Sequence, residues 1–533
     1  MTQPPDKNTN SLSSEADIKK AVEARKAETA ERLAKSLADK EPKKITSKDI
    51  HDCLYSNELG DGMLYAALHE NKFVYNKSAQ EWIKFNGHHW VRDIGDESLA
   101  AAENVAERYL QEARDMVTRI DAASKDGDKE KMEALQKTQG AIYKRVHRLR
   151  SDRGRNSCLK FAHTNKKMAI YIEGNELDTN HYYLACKNGV IDLRTGQLSP
   201  GRPEDYMFKA SPVEWVGIDT PAPTWESTLN GIFQGDQDLI DYIGRLCGYG
   251  ITGLTIEHVL PIFWGQGRNG KGTIVETISH VMGALVGPIV TEMLLDQGRV
   301  KNSSGPSPDI MGLRGLRIAF ASEADEGRRF SPSRIKWLSG GDTLKGRHPH
   351  DKYETEFLPT HMLILLTNHK PHAPADDYAF WERVHLIPFN ISFVDRKPRE
   401  DYELPADKYL KEKMILEAPG ILAWLVRGCL EWQRIGLAPP ASVLEATAEY
   451  KRDEDLIQDF IDECCFLDPG HEVGASSLYS EFKTWFEENI SKRSISQKKF
   501  GRMIGKKFKK IKSGTYKYIG LGLNSDEFGH RGP

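Results

Sequence analysis

Ten residues constrain this chain more than any others. Gly265-Gln-Gly-Arg-Asn-Gly-Lys-Gly-Thr-Ile274 follows directly on the apolar run Val259-Leu-Pro-Ile-Phe-Trp264. A buried strand that stops at a glycine-rich turn and opens into a helix forms a cradle for phosphates. Its glycines let backbone N–H groups turn inward, the helix start favours negative charge, and a lysine reaches the outer phosphates. Gly265, Gly270 and Lys271 meet the spacing G-x-x-x-x-G-K, with Gly267 and Asn269 inside the loop. Gly272 stands where Ser or Thr is usual and Thr273 follows, which leaves the hydroxyl that would hold Mg²⁺ open, with Thr273 the candidate. A glycine-rich turn that binds nothing is the alternative, and the flanking strand and helix argue against it.

The 533 residues suggest roughly three or four domains at about 150 residues each. With 28% charged residues and no apolar stretch of about 20, the chain reads as a soluble globular protein without a membrane partner. Met1-Thr-Gln-Pro-Pro-Asp carries no signal pattern, and the expected location is the cytoplasm of a bacterium or host cell. Seven scattered cysteines without C-x-x-C spacing argue for a reducing compartment. Net charge is only −3, but its distribution is uneven: residues 492–517 hold eleven Lys or Arg and no Asp or Glu. Such a block is either a solvated surface or a nucleic-acid face.

Along the chain, residues 1–50 read as a disordered or lone helical tail. A compact, mainly helical region follows over 51–180. In it, Phe73-Val-Tyr-Asn76 and Trp82–Val91 read as a hairpin turning at Asn86-Gly87. His88 and His89, taken as strand neighbours on opposite faces, are read as structural rather than metal ligands. Helices are expected from Glu97 to about Cys158, with a break at Lys125–Asp128. Over 184–198 two short strands turn at Asn188-Gly189 and Thr195-Gly196, and Thr220-Pro-Ala-Pro-Thr224 marks a hinge. Helices resume over 225–250. An α/β region runs to about Phe393, helices follow to about Gln433, and Pro439-Pro440 links to a last module over 441–533.

A phosphate loop needs a carboxylate after a second buried strand, to hold Mg²⁺ or polarise a water. Leu316-Arg-Ile-Ala-Phe-Ala321 is that strand, and Ser322-Glu-Ala-Asp-Glu326 supplies Glu323, with Asp325 in support and Glu326 less suited. A third apolar strand, His361–Thr367, ends at Asn368, which can bond a γ-phosphate or the attacking water, or can simply cap a turn. Arg383 precedes a fourth apolar run, Val384–Phe389. Its planar, permanently charged fork suits phosphoryl charge, often across a subunit boundary, or equally a surface ion pair. Between the second and third strands, Lys345, Arg347, His348, His350 and Lys352 look like a basic hairpin loop suited to a phosphate backbone.

In this order, GQGRNGKGT, ASEADEG, WLSGGDTLKGR, LLTNHKP and FWERVHLIPF resemble the motifs of the superfamily 3 helicases, in particular the phage, plasmid and poxvirus primase-helicase family. The upstream KNGVIDLRTGQLSPGRPEDYMFKASPVEW resembles that family's collar region. The resemblance covers roughly residues 180–533. It implies an α/β, AAA+-like P-loop NTPase domain over 251–435, a collar-like region over 181–250, and a hexameric ring that moves on single-stranded DNA with ATP. It makes Lys271 the Walker A lysine, Glu323 the Walker B acid, Asn368 the polar sensor, Arg383 the arginine finger and the loop around Arg347 a DNA-contacting element. Glu382 stands where an arginine often precedes the finger. Residues 1–180 look too short and too helical for the primase domain many members carry, so helicase activity without primer synthesis is expected, with a separate primase or replication protein as a further partner.

In the last module, Leu478, Phe482, Trp485 and Phe486 form one helical stripe. A second helix, capped near Ser494 or Ser496, buries Phe500, Met503, Ile504 and Phe508. Lys498, Lys499, Arg502, Lys506 and Lys509 lie on its remaining surface. A hairpin turning at Ser513-Gly514 follows. Two helices and a hairpin make a winged-helix arrangement, which sets a basic helix against duplex or forked DNA. The chain therefore reads as an ATP- and Mg²⁺-dependent DNA helicase. The alternative is an ATP-regulated DNA-binding protein that does not unwind.

Overall fold

The computed structural model describes residues 45–297, 306–322, 326–347, 349, 354–489 and 495–524. Its helical N-terminal region opens with α1 (Ser47–Tyr55), which starts at a reciprocal cap. The Thr46 hydroxyl accepts from the Asp49 amide, and the Asp49 carboxylate accepts from the Thr46 amide. Helices α2 (Asn57–Leu68), α3 (Ala102–Lys125), α4 (Lys129–Leu149) and α5 (Asp152–Thr164) pack around Tyr65, Val105, Tyr109 and Ile142. The expected hairpin is a larger sheet: β1 (Phe73–Asn76), β2 (Glu81–Phe85) and β3 (Trp90–Arg92) run antiparallel, and β4 (Tyr171–Ile172) joins β1 in parallel. His88 and His89 lie in the β2–β3 loop, not on a strand. Their rings are 4.9 Å apart, so the argument from opposite strand faces does not apply.

Three strands, where two were expected, follow: β5 (Tyr183–Cys186), β6 (Gly189–Asp192) and β7 (Gln197–Ser199). The proline-rich stretch expected as a hinge is packed structure. Thr220 and Ala222 are wholly buried, and Pro223 starts α6 (Pro223–Ile232). The Glu417 carboxylate accepts from the Thr224 and Trp225 amides, at 2.9 and 3.1 Å, and so satisfies donors that a helix start leaves bare. The helix α7 (Gln237–Gly250) is capped by Asp236, which accepts from the Leu239 amide.

The central sheet is all parallel, in the order β14-β8-β13-β10-β9. It comprises β8 (Leu260–Trp264), β9 (Val286–Ile289), β10 (Ile318–Ser322), β13 (Met362–Thr367) and β14 (Val384–Pro388). Between β10 and β13 the chain makes a separate antiparallel pair, β11 (Leu344–Gly346) and β12 (Thr355–Phe357). Strands buried on both faces must be apolar throughout, as β8 and β13 are. Pro261 fits within β8 because pairing with β13 begins only at Ile262, so its missing N–H leaves no gap in the ladder. On one face Phe263, Ile318, Ile364, Leu366 and Ile387 pack with α7, with α8 (Lys271–Met282) and with α11 (Ala418–Ile435), which follows α10 (Leu410–Leu416). On the other, Leu260, Ile262, Ala319, Leu363 and Leu365 pack with Leu294, Ile335 and Phe380 of the β9–β10, β11-flanking and pre-β14 segments, where α9 (Tyr378–Trp381) lies. Arg317, at the foot of β10, ties this body to the preceding region by donating to the carbonyls of His181 (3.2 Å) and Tyr183 (2.7 Å).

The helix α12 (Ala441–Asp453) belongs to this body, not to the last module. Val443 and Tyr450 sit in the two cores above, and the Thr447 hydroxyl accepts from the Leu386 amide at the β14 edge. A separate core begins at Ile457. It joins α13 (Leu456–Cys464), β15 (Glu472–Gly474), α14 (Ala475–Asn489), α15 (Gln497–Lys507), β16 (Lys509–Ser513) and β17 (Thr515–Ile519), with the three strands ordered β15-β17-β16. The module thus adds to the expected helices and hairpin a third strand, β15, and a separate short antiparallel pair of Cys465–Phe466 with Gly522–Leu523. The Ser496 side chain caps α15, and the Tyr518 hydroxyl donates to the Gly501 carbonyl and pins that helix to the sheet.

Candidate functional site

The loop leaves the carboxyl end of β8, where open parallel sheets leave a crevice beyond their strand ends. Gly267, Arg268 and Gly270 all have positive φ, at 93°, 47° and 89°, which folds the loop back over the helix start. Gly265 is held by packing against backbone, and Gly270 by its φ of 89° together with the Ile232 side chain. A Cβ on Gly265 would lie 2.3 Å from both Asn269 Nδ2 and the Phe389 carbonyl, and one on Gly270 would lie 2.5 Å from Ile232 Cδ1. Asn269 is buried, and its Nδ2 donates to the Phe389 carbonyl at 3.3 Å. Gly270 caps α8 without a side-chain hydrogen bond, so no side chain competes for the amides of the first turn. Lys271, only 7% exposed, donates to the Gly265 carbonyl at 2.5 Å and to Asn368 Oδ1 at 3.0 Å. Two sequence candidates 97 residues apart are thereby in direct contact.

A cavity of about 540 Å³ lies over the loop. Its polar end is lined by residues 267–273 with Ser322, Thr367 and Asn368, and its apolar end by Ile232, Phe393, Ala406 and Leu410, with Thr228 and Asp407. Thr273 lines it, and a side chain at Gly272 would meet only Glu276 Oε1 at 3.9 Å. Glu323 and Asp325 lie outside the described residues. The strand that carries them ends at Ser322, on the cavity wall, where its carbonyl accepts from the Thr291 hydroxyl at 2.8 Å. Glu276, Phe393, Asp407 and Leu410 were missed by sequence reasoning. Glu276 follows Thr273 by one helical turn and was findable from that spacing, whereas the others come from segments without a local motif. Lys413 bonds Asp407 at 2.6 Å and holds its carboxyl below the usual range.

Arg383 lies at the opposite end of the sheet. Its carbonyl accepts from the Leu260 amide at the start of β8, and four strand steps of about 3.3 Å separate that point from Trp264, beside the loop. Its Nη1 donates to the Ala379 carbonyl at 2.6 Å. In the hairpin of β11 and β12, Lys345 sits between Glu354 (3.1 Å) and Glu356 (3.2 Å), which neutralise it locally. The Arg347 backbone is bonded to Ser307, and His348, His350 and Lys352 lie outside the described residues. Among the described residues no group of three or more His, Cys, Asp or Glu side chains is arranged to hold a metal ion, and no helix is long and apolar enough to cross a membrane.

On α15, Lys506 is paired with Asp376 (3.0 Å), while Lys507 bonds Asp455 (2.8 Å) and Gln458 (2.7 Å). Lys498, Lys499 and Arg502 are exposed and make no ion pair among the described residues. Of the expected basic face, Lys498, Lys499 and Arg502 are thus unpaired among the described residues and Lys506 is exposed in an ion pair.

The described body is thus α/β with an all-parallel central sheet, and a glycine-rich loop and a buried lysine stand at the carboxyl end of one of its central strands. Residues 62–234 match the family described as D5 N terminal like, and residues 452–520 match the Poxvirus D5 protein-like family. The chain is 26% identical over 445 residues to "Putative helicase L207/L206" of Acanthamoeba polyphaga mimivirus, covering 79% of this chain and 45% of the relative. It is 24% identical over 401 residues to "Putative helicase 022R" of Frog virus 3 (isolate Goorha), covering 61% and 41%. The chain thus spans less than half the length of these curated relatives. It carries two separate segments similar to D5-type families, and both of these relatives are named as putative helicases. Among solved structures, the apo NrS-1 C terminal region aligns with 56% of this chain and 76% of its own, at 14% identity and a TM-score of 0.34, too loose a likeness to carry an argument.

Proposed function

We propose that this chain is an ATP- and Mg²⁺-dependent DNA helicase, a ring-forming superfamily 3 motor with an AAA+-like body, in the replication of a phage, prophage or plasmid. The observation that carries the reading is the buried Lys271 at an uncapped helix start, bonded to Asn368 from the neighbouring strand. In this reading the loop amides and Lys271 hold the triphosphate, and Asn368 senses the outermost phosphate. Thr273 and Glu323 hold Mg²⁺, which supplies positive charge against the transferring phosphoryl group. Arg383 is too far along β14 to serve its own site, so it completes that of a neighbour in a hexamer. The helix–strand–helix–helix–hairpin order of the last module supports a winged helix, with Lys498, Lys499 and Arg502 turned to single-stranded or forked DNA.

The test is hydrolysis by Lys271→Ala. ATPase activity should fall to background while binding of forked DNA persists, and undiminished hydrolysis refutes the assignment. Strand displacement on the same fork by the unaltered protein separates a motor from a DNA-binding regulator, which would bind the fork and leave it paired.

A further inference from the structure

A second cavity, of about 650 Å³, opens in the last module between the first turn of α14, the first turn of α15 and the β16–β17 hairpin. Its rim carries Ser476, Ser477, Gln497, Lys498, Lys510 and Tyr516, and its floor is the buried pair Phe500 and Tyr518. We propose that this cleft holds one nucleotide of a single DNA strand, its phosphate between Lys498 and Lys510 and its unstacked base against the ring of Tyr516. The identity of the nucleic acid rests on the reading above; the placement rests on the cleft.

Three independent features converge there. The first is charge. The lysines of this module that have carboxylate partners, Lys483, Lys506, Lys507 and Lys517, lie outside the cleft, whereas Lys498 and Lys510 on its rim meet no carboxylate among the described residues. The first turn of α14 has no acidic residue to oppose an anion, and the serine hydroxyls beside it are donors of the kind that positions a backbone phosphate. The second is the aromatic. Tyr516 is 52% exposed, and Lys510 Nζ lies over its ring, 4.3 Å from the centroid, so a cation and a half-exposed aromatic are presented together. A base offers its face only when it is out of a duplex, and pairing a charged groove with an aromatic platform is how proteins take single strands. The third is shape. A recognition helix lying along the major groove would use the whole outer face of α15, yet its carboxyl end is tied down by Asp376 and Asp455. Two of the cations without a carboxylate partner among the described residues, Lys498 and Lys510, stand instead where helix and hairpin face each other across a cleft of ligand size.

The measurement is fluorescence anisotropy of a labelled oligo-dT strand with the full chain, across a salt series, beside a blunt duplex of equal length. Tyr516→Ala should weaken strand binding about ten-fold with the salt slope unchanged, and Tyr516→Phe should stay within about two-fold of the unaltered protein. Lys498→Gln should flatten the slope of log K against log salt by about 0.7, the share of one phosphate contact. Both positions are exposed on the rim, and an unchanged melting temperature would confirm that the variants are folded. Tyr516→Ala binding as tightly as the unaltered protein overturns the cleft, as does a duplex that binds as well as the strand. If strand binding stimulates hydrolysis while Tyr516→Ala binds normally, only the cleft fails; if the unaltered protein binds no strand at all, the motor reading fails too.

Discussion

The phosphate loop and the C-terminal cleft both present positive charge to an anion, by opposite routes. In the loop, Lys271 is buried, its ammonium held by a carbonyl and an amide oxygen, and the backbone around it is fixed by glycines held by packing and, at Gly270, by its positive φ. In the cleft, Lys498 and Lys510 stand exposed on a rim with no carboxylate partner among the described residues, and Lys510 rests over the Tyr516 ring. A buried cation in a preorganised shell selects one geometry and is weakly screened, whereas exposed cations attract any polyanion and yield to salt. In the proposed reading, the difference would suit a site that positions one triphosphate and a surface that releases and retakes a strand.

The largest effect should come from breaking the rigid partner of this pair. Gly270→Ala puts a Cβ at φ 89°, 2.5 Å from Ile232 Cδ1 and 2.7 Å from its Cγ1. The left-handed conformation and the overpacking together cost about 3 kcal/mol, so affinity for a fluorescent ATP analogue should fall about 100-fold. Adding Ile232→Ala should restore part of it, because the two substitutions share one space. A loss of only a few-fold in Gly270→Ala would show that the loop adjusts, and the contrast with the exposed cleft would lose its basis.

A smaller effect separates the two regions by pH. Burial pushes the imidazoles of His361 and His385, both in the central α/β body, down to about 4. Their unfolded value is about 6.5, so between these limits the unfolded chain binds more protons, and stability is complete above about 6.5 and lost as pH falls toward 4. For His361, 1% exposed, the slope is roughly 1 kcal/mol per pH unit. In the N-terminal region the sign is opposite for Asp61, whose carboxyl burial raises to about 6: its term favours the fold at low pH and is lost as pH rises through that value. Melts at about pH 7.5 and 5.5 should show the body losing temperature on acidification, and His361→Phe should flatten that loss. A body that melts at one temperature throughout would mean its histidines are hydrated.

How much of this was legible in the sequence depended on whether the signal was local. Strands β8, β10, β13 and β14 stood out because a strand covered on both faces must be a continuous apolar run. Val286-Gly-Pro-Ile289 did not, since an edge strand tolerates Gly and Pro and so looks like a loop. The loop residues and Asn368 were readable from motifs, but Phe393, Asp407 and Leu410 reach the cavity only through the tertiary fold. Pro439-Pro440 looked like a domain boundary, yet Val443 and Tyr450 carry the chain back into the body's two cores. Lys345 looked like part of a basic cluster because its neutralising partners, Glu354 and Glu356, face it from the other strand of the hairpin. Charge read along a chain overstates the charge that a folded surface shows.

The smallest expected effect bears on the one place where the loop departs from its usual pattern. Unlike Gly265 and Gly270, Gly272 is not held by packing: within the helix, a Cβ there meets nothing closer than Glu276 Oε1 at 3.9 Å. Glycine within a helix is about 0.5 kcal/mol poorer than serine, so Gly272→Ser should raise the melting temperature slightly. It would also add a hydroxyl beside that of Thr273, at the edge of the cavity. If Thr273 already serves the metal, nucleotide affinity and hydrolysis should both stay within about two-fold. A clear gain in Mg²⁺-dependent hydrolysis would instead mean that Thr273 reaches the metal poorly and that this chain works with an incomplete shell. A collapse would mean that the bare Cα at 272 lets a phosphate approach more closely than any side chain allows, and the obligatory glycines of the loop would then number three.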